Sequence, residues 1–417
     1  MSEFQLTYEQ REALARIDDW YRLGLSPMFA LTGAAGTGKT TLTREIVKKY
    51  GTSSTHLTAM TGKAAHRLSK LADVQGVTTL HKVLYNPPHE FRNKQRRDGV
   101  ELDFNSTRAT QCELLIVDEA SMMSPQTFEK LKKDWSHVKV LLIGDPFQLP
   151  PILNSEEQSV YGTDFSVFTY VKGFELTQVM RNVGGVLKAA TQLRETGELC
   201  LDPYPGYEIW YEASPLRRAV EEYCADPYEH LLLTWQNKWR MAASRAVRER
   251  FGHKSELPEY NEPVVIRKSG RGALNGDIRN VQHLTEASDF YGTRTRMLHS
   301  IGFPEPLWVS IEGGNPEMDG EFFDGFLYLS REQWTQSRGD KNKPLPITWA
   351  YCLTAHLAQG SEAERTTIFL GRRDEESRHM AELSTLPDGR QVPQIVRWLY
   401  TCLTRSKKRT TLIVGAR

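Results

Sequence analysis

The most constraining feature of this sequence is an octapeptide that fits the phosphate-loop pattern G-x-x-x-x-G-K-[ST] at every specified position. The octapeptide begins at Gly33 and ends at Thr40, after an apolar run at residues 28–31 that is typical of a buried strand. Residues 41–47 follow with the apolar spacing of a helix. In this context backbone N–H groups and the helix dipole hold phosphate. The pattern therefore predicts an α/β domain that binds a phosphorylated ligand.

The residue types of this loop suggest how a nucleotide would be held. Glycines let the backbone wrap closely around an anion. Lys39 would reach the β- and γ-phosphates of ATP, and the hydroxyl of Thr40 would ligate Mg²⁺. The predicted nucleotide-binding residues are Gly33, Ala34, Ala35, Gly36, Thr37, Gly38, Lys39, Thr40 and Thr41. The alternative is a chance match in an ordinary glycine-rich turn, and the flanking strand and helix argue against it.

A second pattern supplies acidic residues. Four aliphatic residues at 114–117 run directly into Asp118 and Glu119, which is typical of a buried parallel strand with acids at its carboxyl end. Asp118 would then hold Mg²⁺, and Glu119 would polarise an attacking water. A further apolar run at 140–143 leads to Gln148, whose amide could sense a γ-phosphate. The alternative for Asp118 and Glu119 is an ordinary surface pair.

Length and composition limit the classes of protein to consider. With 417 residues the chain is too long for one typical core, so we expect two to four domains. The absence of a long apolar run and of a secretory signal predicts no membrane segment and a cytoplasmic location. Five cysteines without C-x-x-C spacing argue against zinc and disulfides. The net charge of +1 does not by itself indicate nucleic acid.

Other segments are more ambiguous. Thr7 is a candidate N-cap for a helix whose Gln10, taken alone, is a surface polar residue. A predicted strand at 56–60 leads through Thr61, Gly62 and Lys63 into a predicted helix at 63–72. Such loops meet ligands in α/β sheets, although a purely structural turn is equally compatible. Residues 85–110 break the α/β pattern and predict a small hairpin or a disordered loop.

Taken in order, these elements resemble the superfamily 1 helicases, specifically the B-type branch typified by phage Dda and bacterial RecD. In the first half, motif I resembles residues 33–41, motif Ia residues 60–65, the T-x-H element residues 79–81 and motif II residues 118–121. Motif III resembles residues 144–151 and motif IV residues 176–181. In the second half, motif V resembles residues 351–362 and motif VI residues 399–405. Residues 231–237 resemble the opening of the second motor domain. Motif V departs from the family pattern, because Leu357 replaces the basic residue that usually follows the histidine.

The resemblance implies roles for individual residues. It implies that Gln10 contacts adenine and that Gly360 and Glu362 contact the nucleotide. The implied catalytic residues are Lys39, Asp118, Glu119, Gln148, Arg181 and Arg405. The implied nucleic-acid contacts are Thr61, Gly62, Lys63, His81, Asn237, Thr354, His356 and Gln359. Arg405, expected on a helix of the second domain, would act as an arginine finger worth about 10³–10⁵ in rate. Its alternative role is a cation favoured by a helix C-terminus.

The implied architecture is two RecA-like α/β motor domains with parallel sheets and ATP in the cleft between them. The first would comprise residues 1–84 and 111–180, and the second residues 181–282 and 346–417. Residues 85–110 would form a hairpin or pin insertion. Residues 283–345 would form an SH3-like barrel, whose aromatics (Trp308, Phe322, Phe323, Phe326, Tyr328 and Trp334) would serve mainly as core and secondarily as base-stacking residues.

The implied function is an ATP-dependent, monomeric DNA helicase that moves 5′→3′ on single-stranded DNA and acts at junctions with duplex. Its cofactors would be ATP and Mg²⁺, its location a bacterial or phage-infected cytoplasm, and its candidate partners replication or recombination proteins. Two alternatives stay open. One is a translocase that displaces bound proteins, and the other is a binding protein that uses ATP only as a switch. A small-molecule P-loop kinase fits less well, because the second half carries further helicase-like elements.

Overall fold

A computed structural model describes residues 6–24, 26–52, 54–74, 76–85, 112–162, 164–179, 184–255, 257–267, 273, 276–290, 293–310, 344–371 and 380–416. The chain divides into two compact units. The first comprises Met1–Tyr204 and Arg378–Thr404, and the second comprises Pro205–Ser377 and Arg405–Arg417. The polypeptide therefore passes between the units three times.

The helices of the described residues are α1 (Tyr8–Leu23), α2 (Lys39–Tyr50), α3 (Gly62–Ala72), α4 (Leu80–Tyr85), α5 (Pro125–Asp134), α6 (Ser155–Tyr161), α7 (Val167–Tyr170), α8 (Gly185–Thr196), α9 (Pro215–Ala225), α10 (Asn237–Arg250), α11 (Ala355–Ala358) and α12 (Gln394–Leu403). A 3₁₀ turn spans Ala120–Met122. Among the described residues, none of these helices has the length and apolar character needed to cross a bilayer.

The strands are β1 (Met28–Gly33), β2 (Thr55–Ala59), β3 (Thr78–Thr79), β4 (Leu114–Asp118), β5 (Lys139–Gly144), β6 (Gly173–Leu176), β7 (Tyr207–Glu212), β8 (His230–Thr234), β9 (Pro263–Ile266), β10 (Ile278–Phe290), β11 (Thr293–Ser300), β12 (Leu307–Ser310), β13 (Leu345–Trp349), β14 (Cys352–Thr354), β15 (Ala363–Phe369), β16 (Leu383–Thr385), β17 (Gln391–Pro393) and β18 (Ser406–Gly415). The strands predicted at 28–31, 56–60, 114–117 and 140–143 are confirmed within one or two residues.

The first unit is built on a six-stranded sheet in the order β3-β2-β4-β5-β1-β6. All of its strand pairs are parallel. Strand β4 is buried along its whole length, and alternate residues enter two different cores. Leu115 and Val117 pack with the α5 side, whereas Leu114 and Ile116 pack with α1 and α2. Helices therefore cover both faces, as a continuous apolar strand requires.

The first helix follows the predicted start signal. The Thr7 hydroxyl accepts a hydrogen bond from the Gln10 N–H, and the Gln10 side chain accepts from the Thr7 N–H, which completes a capping box. The helix ends at Gly24, whose φ of 68° is the left-handed conformation typical of a helix C-terminus. Thr7 is thereby confirmed as the N-cap.

The second unit contains a parallel five-stranded sheet in the order β14-β8-β15-β18-β7 and a closed barrel in the order β10-β11-β12-β13-β9. A buried ion pair lies between α10 and the segment before β9. Arg248 donates to both carboxylate oxygens of Glu262 at 2.6 and 2.9 Å, and Glu262 is fully buried. The guanidinium also stacks over Trp349 of β13 at 4.2 Å. The pair therefore fixes the barrel to the sheet's flanking helix.

The two α/β regions and the small barrel agree with the expected fold class, but their limits differ from the predicted ones. Helix α8 and residues 378–404 belong to the first unit rather than to the second. Arg194 of α8 pairs with Asp145 and Glu175. Within residues 378–404, Tyr400 donates to Asp145 and Arg397 to the Gln148 carbonyl. The barrel also uses β9, which lies before residue 283, and β13, of which only Leu345 lies within residues 283–345. Apart from Tyr85, which ends α4, the predicted insertion at 85–110 lies outside the described residues, and so do five of the six barrel aromatics. Trp308 is described and donates to Thr295 at 2.6 Å.

Candidate nucleotide site and nucleic-acid interface

The phosphate loop of the first unit has a shape that only glycine permits at several positions. Gly36 and Gly38 have φ values of 82° and 88°, in the left-handed region that favours glycine. A Cβ on Gly33 would lie 2.7 Å from the Leu176 carbonyl oxygen and 2.8 Å from the Thr37 hydroxyl. The Thr37 hydroxyl itself donates to the Ala34 carbonyl at 2.9 Å and closes the loop. The loop is therefore a compact turn leading into α2.

Lys39 lies at the first position of α2 and folds back over the loop. Its ammonium donates to the carbonyl oxygens of Gly33 at 2.7 Å and Ala34 at 2.9 Å. Burial lowers the Lys39 pKa, and the carboxylates of Asp145, Glu119 and Asp118 partly offset that effect. The cation is thus held within the loop and faces three acids, where a phosphate would be a stronger acceptor than the carbonyls.

Two buried acids end the central strand as predicted. Asp118 is the last residue of β4, and its Oδ1 accepts from the Glu119 N–H at 2.9 Å. Burial and, after it, the neighbouring Glu119 carboxylate raise the pKa of Asp118 to about 6, against the opposing charges of Arg67 and Lys39. Both acids are less than a tenth exposed. The pair is therefore a buried site with excess negative charge.

Glu119 also has a strained backbone. Its φ of 55° and ψ of 36° are left-handed, which costs a non-glycine residue about 1–2 kcal/mol. Strain of this kind persists where the surroundings fix it, and it is concentrated at functional sites. The turn ends β4 and directs the chain into the 3₁₀ turn at Ala120–Met122. The position of Glu119 is thus set by the strand end rather than by a flexible loop.

The residues present fit Mg²⁺. A Thr40 hydroxyl and an Asp118 carboxylate are hard oxygen ligands, and Mg²⁺ in proteins is typically held by one or two carboxylates together with phosphate oxygens and water. The raised pKa of Asp118 indicates too little positive charge around its carboxylate. A divalent cation would supply that charge.

Gln10 is buried, and its interpretation as a surface residue from sequence alone was wrong. It is 1% exposed, and its Nε2 donates to the Thr37 carbonyl of the phosphate loop at 3.3 Å. Its Oε1 accepts from the Thr7 N–H at 3.1 Å. Gln10 thus connects α1 to the loop, and its contact with adenine stays a prediction.

An ion-pair network beside the loop was missed by the sequence reasoning. Asp145 follows β5, is fully buried, and accepts from Arg194 Nη1 at 2.5 Å and from the Tyr400 hydroxyl at 2.5 Å. Arg194 also donates to Glu175 at 3.0 Å. Burial would raise the Asp145 pKa, but Arg194, Lys39 and the Tyr400 hydrogen bond lower it below its ordinary value. Asp145 and Tyr400 stand within motifs III and VI, whereas nothing in the sequence around Arg194 indicated its role.

Helix α12 fixes the loop that carries Gln148. Arg397 Nη2 donates to the Gln148 carbonyl at 2.6 Å and to the Pro146 carbonyl at 3.1 Å. The Leu149 N–H donates to the Thr401 hydroxyl at 3.0 Å. The Gln148 side chain is 5% exposed, and its Oε1 is buried without a hydrogen-bond partner in the described part of the chain. An amide oxygen only accepts hydrogen bonds, whereas sensing a phosphate needs the Nε2 donor, so the role of Gln148 as a phosphate sensor stays a prediction.

The predicted nucleic-acid contacts of the first unit lie at one sheet edge. Thr61 follows β2 and caps α3, where its hydroxyl accepts from the Ala64 N–H at 3.2 Å. Gly62 and Lys63 begin that helix. His81 follows β3, which pairs in parallel with β2. These residues therefore meet at the carboxyl ends of neighbouring strands, and Thr61 has a structural role as well.

The second unit brings its predicted contacts together in the same way. Asn237 begins α10 after β8, and its Oδ1 accepts from Arg240 Nε at 3.2 Å. Thr354 ends β14, which pairs in parallel with β8 through Thr354 and Thr234. His356 lies in α11 and Gln359 directly after it, where Gln359 is 3% exposed. Of this group, Gln359 has the least surface to offer a ligand.

Three of the remaining residues predicted to act on the nucleotide belong to the second unit: Gly360, Glu362 and Arg405. Gly360 has a φ of 77° and Glu362 is half-buried, both in the second unit. Arg405 was expected on a helix, but α12 ends at Leu403 and Arg405 lies beyond it. Its carbonyl accepts from the Ala363 N–H at 3.0 Å. Arg181 lies outside the described residues.

Known proteins resemble this chain in sequence and fold. Residues 23–154 match a family model described as an AAA domain. The ATP-dependent DNA helicase PIF1 of Mus musculus is 30% identical over 393 residues, which are 82% of this chain and 53% of that protein. The ATP-dependent DNA helicase dda of Enterobacteria phage T4 is 30% identical over 170 residues, which are 39% of this chain and 37% of that protein. The chain thus spans about half or less of these relatives.

A solved structure shows the same fold. The Pif1 helicase from Bacteroides in complex with ADP-AlF3 and ssDNA aligns with a TM-score of 0.56 and 16% identity, over 98% of this chain and 92% of that one. Fold and site define the chain as a P-loop nucleotide-binding α/β protein. In sequence it is similar to the Dda and Pif1 helicases, which confirms the superfamily 1B resemblance identified from its motifs.

Proposed function

We propose that this protein is an ATP-dependent DNA helicase that hydrolyses ATP at the phosphate loop of its first unit and moves along single-stranded DNA. The observation that carries the proposal is the convergence of three strand ends. The phosphate loop after β1, the acids after β4 and the Gln148 loop after β5 stand on adjacent parallel strands. Parallel strands place their carboxyl ends at one edge, where α/β sheets bind ligands.

The proposed hydrolysis assigns one task to each side chain. Lys39 holds the β- and γ-phosphates and balances their charge. Glu119 takes a proton from the attacking water, from a backbone position fixed by the end of β4. Bound Mg²⁺, held by Thr40 and Asp118, would neutralise charge that develops on the phosphates. Gln148 senses the terminal phosphate, and Arg181 and Arg405 supply further positive charge in the transition state.

The two sheets support a role in nucleic-acid binding. Each unit has a parallel sheet with candidate polar contacts at its carboxyl edge: Thr61, Gly62, Lys63 and His81 in the first unit, and Asn237, Thr354, His356 and Gln359 in the second. A motor that steps along a strand needs two separate grips whose spacing changes during the ATPase cycle. Two similar sheets on one chain can provide those grips.

The first experiment measures ATP hydrolysis by the purified chain with and without single-stranded DNA, at stated salt because phosphate contacts are screened. A helicase or translocase should show strong stimulation by the strand. An ATP-switched binding protein should show little. The Lys39→Ala variant controls for contaminating ATPases, because it removes the phosphate-binding cation.

The second experiment tests unwinding and direction. Two duplexes of identical sequence carry a single-stranded tail at either the 5′ or the 3′ end. We expect unwinding of the 5′-tailed duplex, which corresponds to 5′→3′ movement. Preferential unwinding of the 3′-tailed duplex would refute the proposed direction. Strand-stimulated hydrolysis with no unwinding, but with displacement of a bound protein, would favour the translocase.

Further parts of the proposal concern the setting. We propose that the chain acts as a monomer at junctions of single- and double-stranded DNA, with replication or recombination proteins as partners, in a bacterial or phage-infected cytoplasm. Sedimentation of the protein bound to one forked duplex tests the stoichiometry. Two copies on each fork would refute monomeric action.

A further inference from the structure

Tyr400 of α12 connects the phosphate loop to the buried Asp145 network, and the proposed reaction assigns it no task. Its hydroxyl donates to Asp145 Oδ2 at 2.5 Å and accepts from the backbone N–H of Ala35 at 3.1 Å. The side chain is 1% exposed. Its ring packs edge-on against Phe147 with centroids 5.0 Å apart. One hydroxyl thus joins a loop N–H, a buried carboxylate and a helix.

The Ala35 N–H is a backbone donor within the phosphate loop. Phosphate loops cradle the anion with successive backbone N–H groups. A single N–H makes one good hydrogen bond at a time, so a phosphate oxygen at Ala35 and the Tyr400 hydroxyl exclude each other. Burial and the Asp145 carboxylate raise the pKa of the Tyr400 phenol. Tyr400 therefore stays neutral, and its hydroxyl donates its hydrogen bond to Asp145.

We propose that Tyr400 is a positioning residue that competes with nucleotide phosphate for the Ala35 N–H, so that phosphate binding loosens α12 from the loop. The inference rests on the nucleotide binding of the proposed function. Because Arg397 and Thr401 hold the same helix to the Gln148 loop, a change at Tyr400 reaches that loop through α12. The chain enters the second unit at Arg405, five residues after Tyr400.

The test compares Tyr400→Phe with the wild type. Phenylalanine keeps the ring that packs on Phe147 and removes only the hydroxyl. The matched control is Tyr50→Phe, since the Tyr50 hydroxyl also donates to a carboxylate, Asp18, at 2.9 Å. Tyr50 ends α2 and lies about 16 Å along the helix from Lys39 at 1.5 Å per residue. Calorimetry gives the Kd of each protein for ADP and for pyrophosphate, which carries no base.

We expect Tyr400→Phe to bind both ligands about 2- to 12-fold more tightly, the worth of one net hydrogen bond. Tyr50→Phe should bind like the wild type. An unchanged Kd, weaker binding, or a gain seen with ADP but not with pyrophosphate would overturn the inference. Failure of the wild type to bind ADP would overturn the proposed function as well, so the two failures are distinguishable.

A second measurement needs no variant. Amide hydrogen exchange of the wild type with and without ADP reports on α12 directly. We expect faster exchange within residues 394–403 when ADP is bound, because the Tyr400 hydroxyl has lost its loop partner. Equal or slower exchange there would overturn the inference, even if Tyr400→Phe failed to fold.

Discussion

Replacing Asp118 by asparagine should change stability with pH in a direction set by the buried site. The pKa of Asp118 is raised from 3.8 to about 6, so the folded protein binds this proton more tightly than the unfolded chain. The free energy of unfolding therefore falls as pH rises from about 4 to about 6. The total loss is up to about 3 kcal/mol, since one pKa unit corresponds to about 1.4 kcal/mol. The asparagine does not titrate, so the variant escapes this loss.

The assay is thermal unfolding of both proteins in EDTA at several pH values from 5 to 7.5. Over that window the wild type should lose roughly 1 kcal/mol that Asp118→Asn keeps, because a folded pKa of about 6 leaves the acid mostly protonated at pH 5. For a unit of this size the loss corresponds to about 2–4 °C in the difference between the two melting temperatures. A constant offset from the new amide does not affect this pH-dependent difference.

The control is Asp18→Asn. The Asp18 pKa is lowered, chiefly by its hydrogen bond with Lys49, so this acid is ionised in both folded and unfolded states above pH 5. The difference in melting temperature between Asp18→Asn and the wild type should therefore not change with pH over the same window. If the difference in melting temperature between Asp118→Asn and the wild type also did not change with pH, the interpretation of Asp118 as a buried carboxylate with too little positive charge around it would be refuted.

Magnesium should reverse the advantage of the variant. With saturating Mg²⁺ and ADP, the wild type should gain more melting temperature than Asp118→Asn, because ligand binding to the folded state stabilises it in proportion to affinity. Equal gains would mean that Asp118 does not hold the ion. The unfavourable charge would then have no explanation in the proposed reaction.

Three further predictions follow from the described contacts. Lys39→Ala should abolish ATP hydrolysis while single-strand binding, measured by fluorescence anisotropy, is retained; loss of both would indicate that the loop supports the whole unit. Glu119→Gln should bind ATP with a Kd near that of the wild type but turn over at least 100-fold more slowly, since general-base catalysis is worth about 10²–10⁴; normal turnover would place the base elsewhere. Arg248→Met should lower the free energy of unfolding of the second unit by about 3–5 kcal/mol in urea, because it leaves the Glu262 carboxylate buried without its arginine partner. The exposed pair of Arg217 with Glu221 is the control, since Arg217→Met should leave the urea midpoint nearly unchanged.

The parallel strands and their terminal residues were predictable from sequence because the determinants are local. A fully buried strand such as β4 needs an uninterrupted apolar run, and its last residue then lies at the ligand edge of the sheet. Thr7 was likewise predictable as an N-cap, since capping depends on residues three positions apart. Order and spacing of these local patterns were enough to identify the superfamily 1B resemblance.

Tertiary structure decided the residues whose partners are distant in the chain. Arg194 resembles a surface arginine in its own helix, and only the fold places it on Asp145, 49 residues away. Tyr400 reaches Ala35 across 365 residues, and Gln10 is buried only because the phosphate loop folds against it. The sequence by itself determined where phosphate and acids would be presented. The fold alone determined which polar groups surround them, because pairing across long separations depends on packing that no local pattern records.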